Sequence, residues 1–352
     1  MRRAAFALTT ALVIAFGTSP RAADNLVLSR FSDYLDSLRA QAGIPGLAAT
    51  IVGTTETVWE RGFGLQDVER SIAARPDTPF AVDGLMQIVD ASLALRCDES
   101  RWLSIDDPSA KYLPGSPDAG ATLRMLMTHT SPGANGLVFA YRMDRLAAMA
   151  PAISACTDST YRSGIAGLFR RMAMIESVPG ADVVSLEPGD EGFDAPTLDR
   201  YAALLARQAV PYAVDGKGRA AASPSTVPAT LTPAGGLITS ARDLARFDLA
   251  LKNGAVVQTA TLAAAWTAPI GGSGLPLPHG VGWFVQSYNG EPIVWQFGES
   301  ATSSSMMITA PRRGITLILL ANSSGLVRSL NLAAGDITVS PFARVFLGLF
   351  VR

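Results

Sequence analysis

Histidine is nearly missing from this chain. Only His129 and His279 occur in 352 residues, far apart and without cysteine or carboxylate ligands at metal-binding spacing. That argues against a metal centre, and no motif calls for a cofactor. An excess of charge is missing too. The 29 Lys and Arg are interspersed with 30 Asp and Glu, for a net charge of -1. Neither a nucleic-acid footprint nor a basic membrane-surface run is present. Cysteine is limited to Cys97 and Cys156. A disulfide between them is allowed in an oxidising compartment, and two small buried apolar side chains are the equal alternative. Long apolar runs are absent as well. Ala4 to Gly17 falls short of the ~20 residues that a membrane span needs. With Arg2 and Arg3 before it and small residues around Ala22 and Ala23 after it, this run has the outline of a signal peptide over residues 1–23. The expectation is export to the periplasm or beyond, with no span in the mature chain. An uncleaved anchor or lipid-surface helix is the alternative, because Pro20 and Arg21 stand where small residues are preferred.

What is present is core. Hydrophobic residues make up 48% and charged residues 17%, ample for one large or two intimate domains. Leu28, Phe31, Leu35 and Leu38 recur at helical spacing within Leu26–Ala42. Leu47–Val52 and Thr57–Gly62 alternate and read as a hairpin. Helical candidates follow at Ala91–Leu95, Leu123–Met127, Ile165–Met174 and Thr197–Gln208, and the patch Gly218–Ala229 reads as a loop. The run PAGGLITSARDLARFDLALKNG predicts a helix capped by Thr239 or Ser240 and stopped at Gly254. Four strand-like runs come next, GVGWFVQSY, EPIVWQF, SSSMMITAP and GITLILLANSSG, then a short apolar helix from Ser340 to Phe350. Strands at both ends with helices between them predict an α/β (α+β) fold. An antiparallel sheet domain would be built from 24–80 and 229–352, with a helical domain over 81–228 inserted.

Seven runs, GIPGLAATIV, VWERGFGLQDV, DTPF, LSIDDPSAKYLP, LRMLMTHTS, PAGGLITSARDLARF and GVGWFV, together resemble the serine β-lactamase-like family: class C β-lactamases, DD-peptidases and related esterases. They keep the family's order over nearly all of the mature chain. The resemblance implies a five-stranded antiparallel sheet flanked by helices, an all-helical domain, and a cleft between them. It also implies a serine and a lysine three residues apart at the start of a helix, where both share one face. Here FAVDGLMQIVDASLAL, held in register by its flanks, puts Gly84 at the serine position and Gln87 at the lysine position. Glycine has no oxygen to acylate, and a carboxamide does not titrate in the useful range.

The family's Y-x-N element is matched best by TYRSGIAGLF, which gives Tyr161 and Ser163; a packed aromatic is the plain alternative for Tyr161. Tyr141 in FAYRM is the rival and lacks a helical continuation. The K-T-G or H-x-G strand becomes Gln296, Phe297 and Gly298, followed by Glu299, whose backbone N–H would be an oxyanion donor. The cleft-lining candidates are thus Gly84, Gln87, Tyr161, Ser163, Gln296, Gly298 and Glu299.

Losses at three separate elements predict a catalytically inactive member, a pseudoenzyme, with the cleft kept for binding or for a regulatory or scaffold role. A cell-wall-derived ligand or an envelope protein is the expected partner, by family analogy. The alternative is a hydrolase that uses water or a different nucleophile, with Asp83, Ser163, Ser300 and Ser303 to Ser305 as candidates. Neither histidine is expected at the site, and Asp83 at a helix start is more commonly a cap.

Overall fold

Alternating side chains build the sheet and both of its cores. In the strand Ile315–Ala321, Leu317, Leu319 and Ala321 enter one apolar cluster, while Ile318 and Leu320 enter another. Successive residues of a strand face opposite sides, so this strand is buried on both faces. The computed structural model describes residues 20–351 apart from 117 and 119. Residues 1–19 of the expected signal peptide lie outside the described residues.

The expected hairpin forms, with Leu47 opposite Phe63 and Ile51 opposite Trp59. The sheet has seven antiparallel strands, not five. Its order is Phe284–Tyr288, Glu291–Glu299, Ser304–Ala310, Ile315–Ala321, Gly46–Val52, Thr57–Asp67 and Ile72–Ala73. Its edges are a two-residue piece continuing the first hairpin, which the sequence pattern does not show, and the expected strand that returns into Glu291–Glu299. A second, three-stranded sheet joins Phe80–Ala81, Leu237–Thr239 and Val178–Pro179. The patch read as a loop contains a short strand, Ala220–Ala222, because Tyr212–Val214 is available to pair with it.

Nine α-helices are described: α1 (Pro20–Gln41), α2 (Met86–Glu99), α3 (Leu123–Met127), α4 (Met149–Thr157), α5 (Tyr161–Arg171), α6 (Ala195–Ala206), α7 (Ala241–Lys252), α8 (Thr259–Ala265) and α9 (Pro341–Phe350). Phe31 and Leu35 of α1 and Phe342 and Phe346 of α9 pack on one face of the sheet. Helices α2, α4, α5 and α7 share the core on the other face. Helix α7 is capped as expected by the Ser240 hydroxyl, which accepts from Asp243 N–H, and Gly254 follows with φ +70°. Helices α4 and α8 have no counterpart among the sequence expectations. Among the described residues no helix is long and apolar enough to cross a membrane.

Cys97 on α2 and Cys156 on α4 form a disulfide, with Cα atoms 6.0 Å apart. It closes a loop across 59 residues of sequence. Restricting the unfolded chain over such a loop stabilises by up to about 4 kcal/mol. Replacing both cysteines by alanine is expected to lower unfolding stability by about 2–4 kcal/mol in urea titrations, and reductant should then no longer affect the midpoint.

Candidate functional site

Asp83, Gly84 and Leu85 form one 3₁₀ turn that runs directly into α2. Gly84 and Gln87 therefore share a face. The turn is held from two sides. Val82 N–H donates to Leu237 O at 3.1 Å, and Ser305 Oγ donates to Val82 O at 2.7 Å. Opposite Ser305 in the ladder stands Gly298. A Cβ on Gly298 would lie 2.0 Å from Val82 O and 3.0 Å from Gly84 N, so only glycine permits this approach of strand to turn.

The approach brings Gln87 of α2 against Gln296 of the strand. Gln296 Nε2 donates to Gln87 Oε1, and the Gln87 amide meets His129 Nε2 at 2.5 Å. Gln296 Nε2 also lies 3.3 Å from His279 Nε2, and the Gln296 carbonyl accepts from Phe297 N–H at 2.9 Å. The two imidazole rings pack edge to face with centroids 4.8 Å apart. Arg142 N–H donates to His129 Nδ1 at 3.0 Å. His279 Nδ1 faces Gly280 O at 2.6 Å and donates to it, so its Nε2 accepts. Burial drives His129 down to about 3, with the Arg145 charge adding to the effect. Burial also drives His279 well below its usual range, helped by His129. At neutral pH the whole group is uncharged.

Sequence reasoning left both histidines outside the site, and no local signal marks them. They arrive from a left-handed residue after α3 (His129, φ +52°) and from a loop. Tyr141, the rival match to the Y-x-N element, joins them. Its hydroxyl lies 3.4 Å from Gln296 Oε1 and its ring 4.4 Å from His129. Burial pushes its phenol far above the usual range. A Cβ built on Gly84 would meet Phe297 O at 3.1 Å, the Met143 methyl at 3.5 Å and the Tyr141 hydroxyl at 3.6 Å. The space beside residue 84 is filled.

Tyr161 and Ser163 are corrections. Helix α5 begins at Tyr161 and turns its ring into the core, where its hydroxyl donates to Asp90 Oδ1 at 2.5 Å. Burial pushes Asp90 up to about 8, against the pull of that hydrogen bond. Ser163 Oγ donates instead to Glu191 O. No hydrogen bond joins either to Gln87 or Gln296; the tyrosine hydroxyl beside Gln296 is that of Tyr141. Tyr141 needs no helical continuation, since a hairpin, Thr130–Gly133 with Gly136–Phe139, delivers it.

Asp83 is not a helix cap, for its side chain makes no capping bond. With φ +47° its buried carboxylate accepts from Ser303 Oγ. Burial raises it to about 6, opposed by the Ser303 and Ser300 hydroxyls and reinforced by Glu299. Glu299 ends its strand exposed and is itself raised by partial burial. Among the described residues no group of His, Cys, Asp and Glu could hold a metal ion.

The sequence profile of the beta-lactamase family matches residues 31–338. Bacillus subtilis PbpX, a candidate penicillin-binding protein, is 36% identical over 108 residues, which is 30% of this chain and 26% of that protein. The chain thus spans about a quarter of that relative's length. Among solved structures, the D-alanine carboxypeptidase AmpC of Burkholderia cenocepacia superposes with a TM-score of 0.69 at 19% identity, covering 92% of this chain and 99% of that one. A class C β-lactamase of Rhodobacter sphaeroides gives 0.65 at 17% identity, covering 91% and 98%. At these identities the likeness is one of fold.

Asp83 gives a pH signature. Its folded value of about 6 lies above its ordinary 3.8. The folded state holds that proton more tightly, so the stability it contributes is complete below about pH 4 and is lost as pH rises through 6. Asp83→Asn removes the loss. The variant is expected to be more stable than the parent by about 2 kcal/mol at pH 7.5, with the gap closing below about pH 4, in thermal melts of the two proteins side by side.

Proposed function

This chain belongs to the beta-lactamase family, and we propose that it works without the family's acylation chemistry, as a binding or scaffold protein of the cell envelope. One observation carries the reading. Residue 84 has no side-chain oxygen, and the residue on the same face, Gln87, is locked into a neutral contact with Gln296 and His129. Acyl transfer needs an oxygen that attacks and a base that takes its proton. The nearest imidazoles cannot replace that base. His129 Nδ1 is occupied by a backbone N–H and His279 Nδ1 by a backbone carbonyl, and both rings are wholly buried. With no cation at Gln87 or Gln296, a ligand carboxylate would gain less here than in an active relative. Peptidoglycan fragments or an envelope protein are the partners that family analogy offers. Export is in keeping with the charged and apolar leader and with the penicillin-binding relative.

A second reading rests on Asp83. A carboxyl raised to about 6 that accepts from the Ser303 hydroxyl is the beginning of a base and nucleophile pair. Against it, Ser303 is only 4% exposed.

Incubation with a fluorescent penicillin, followed by intact mass, is expected to show no adduct, and p-nitrophenyl butyrate should hydrolyse at the buffer rate. A penicilloyl adduct on the natural chain would sink the main reading. Ester turnover that disappears in both Asp83→Asn and Ser303→Ala would establish the second. Restoring the pair with Gly84→Ser and Gln87→Lys is expected to give no acylation. The new ammonium would sit among neutral donors without a carboxylate, so Gln87→Lys alone should cost about 2–4 kcal/mol in urea unfolding.

A further inference from the structure

Helices α2 and α5 both finish at one side of the helical region, and their last turns carry Arg96 and Arg170 with Arg171. These arginines line a cavity of about 930 Å³, well within the size that holds a small molecule. Neither Gly84, Gln87 nor Gln296 touches it. Among the described residues no carboxylate pairs with Arg96, Arg170 or Arg171 within 4.0 Å. Of the two acids that line the cavity, Glu191 is engaged by Thr160 Oγ1 at 2.7 Å and by Arg162 at 3.7 Å, which leaves Asp158. The three lining arginines outnumber the two lining acids, with Asp194 acting on Arg170 from beyond the lining, and their planar forks match phosphate oxygens.

Two further features suit a ligand. Trp102 lines the same cavity with 72% of its surface exposed, an unusual position for an indole and a ready stacking face for a flat group. Gly167 sits inside α5, where glycine weakens a helix. Packing does not demand it, because a Cβ there would meet nothing nearer than Arg170 Nη2 at 3.9 Å. Gly164 differs: its Cβ would strike Thr157 Oγ1 at 2.9 Å. The effect of glycine at 167 is to leave the cavity open. The Cys97–Cys156 disulfide, which also lines it, fixes α2 against α4.

We propose that this cavity binds a small phosphorylated molecule with a flat aromatic group: at least two negative charges held by Arg96, Arg170 and Arg171, and the ring against Trp102. The proposal is independent of the acylation site and stands whether or not that site is active.

The test uses the full chain, with ADP, inorganic pyrophosphate and adenosine as probes, read by titration calorimetry and tryptophan fluorescence. ADP is expected to bind and quench fluorescence, pyrophosphate to bind about tenfold more weakly without the ring contact, and adenosine not to bind. Raising salt should weaken ADP. Gly167→Leu should fill the cavity and abolish binding with the melting temperature kept. Arg170→Ala with Arg171→Ala should weaken ADP about tenfold or more, and decides the matter should the leucine variant fail to fold. Trp102→Phe should remove the quench while calorimetry still detects ADP. Failure of ADP and pyrophosphate to bind at millimolar concentration, binding of adenosine equal to that of ADP, or ADP affinity unchanged in the double arginine variant would each overturn the proposal.

Discussion

The close approach of strand Glu291–Glu299 to the turn before α2 is the contact on which the site depends. It exists because Gly298 lacks a Cβ, which would otherwise lie 2.0 Å from Val82 O. With the strand backbone that near, Ser305 can hold Val82 O, α2 starts at a fixed height against the sheet, and Gln87 comes opposite Gln296. A bulkier residue at 298 would move the strand or the turn by an ångström or more. The histidines would then lose the amides that satisfy them. An arrangement of this kind is set by backbone geometry first and by side-chain chemistry second.

What fills the space is uncharged, and that is consistent with its burial. Gln87, Gln296, His129 and His279 are all within 1% of full burial. Such groups persist in a core only when hydrogen-bonded, and each of these has partners. Their aromatic neighbours complete the packing: Tyr141 lies 5.5 Å from Phe297 and 5.1 Å from Phe284, centroid to centroid. An ammonium at position 87 would need a carboxylate or several acceptors, and its surroundings supply amide and imidazole groups already committed to one another. A glutamine at 87 and closure of the space are thus mutually reinforcing, since a neutral residue allows a dry neighbourhood and a dry neighbourhood disfavours a charge.

The frame of the fold was legible because it is written in local pattern. Alternation announced the N-terminal hairpin, apolar strand-like runs announced the C-terminal strands, and Ser240 with Gly254 bracketed α7. That Gly84 and Gln87 share one face at a helix start was legible from the run FAVDGLMQIVDASLAL. What escaped depends on distance in space. His129, Tyr141 and His279 span 150 residues of sequence between first and last, and no spacing rule joins them. Tyr161 was attractive for its helical continuation, yet that same helix carries it into the core against Asp90. The edge strand Ile72–Ala73 is two residues long and owes its existence to a neighbour, not to its own pattern. The disulfide was open until geometry brought α2 and α4 together.

Asp83 shows how the junction of a sheet and a helix can hold a strained residue. A non-glycine residue at φ +47° is uncommon, and a carboxylate held in burial at about 6 is costly at neutral pH. Neither is needed to seat a glycine at 84. Both follow from the neighbours: Val82 is pinned by the strand, Leu85 must enter α2, and Ser303 reaches the only carboxyl that the intervening residue can present. Strain survives where the surroundings over-determine it. Relief by substitution at 83 alone would leave the turn where it is, because the sheet and α2 hold it from outside. The turn is therefore a property of the sheet–helix junction, and the chemistry of residue 84 can change without altering it.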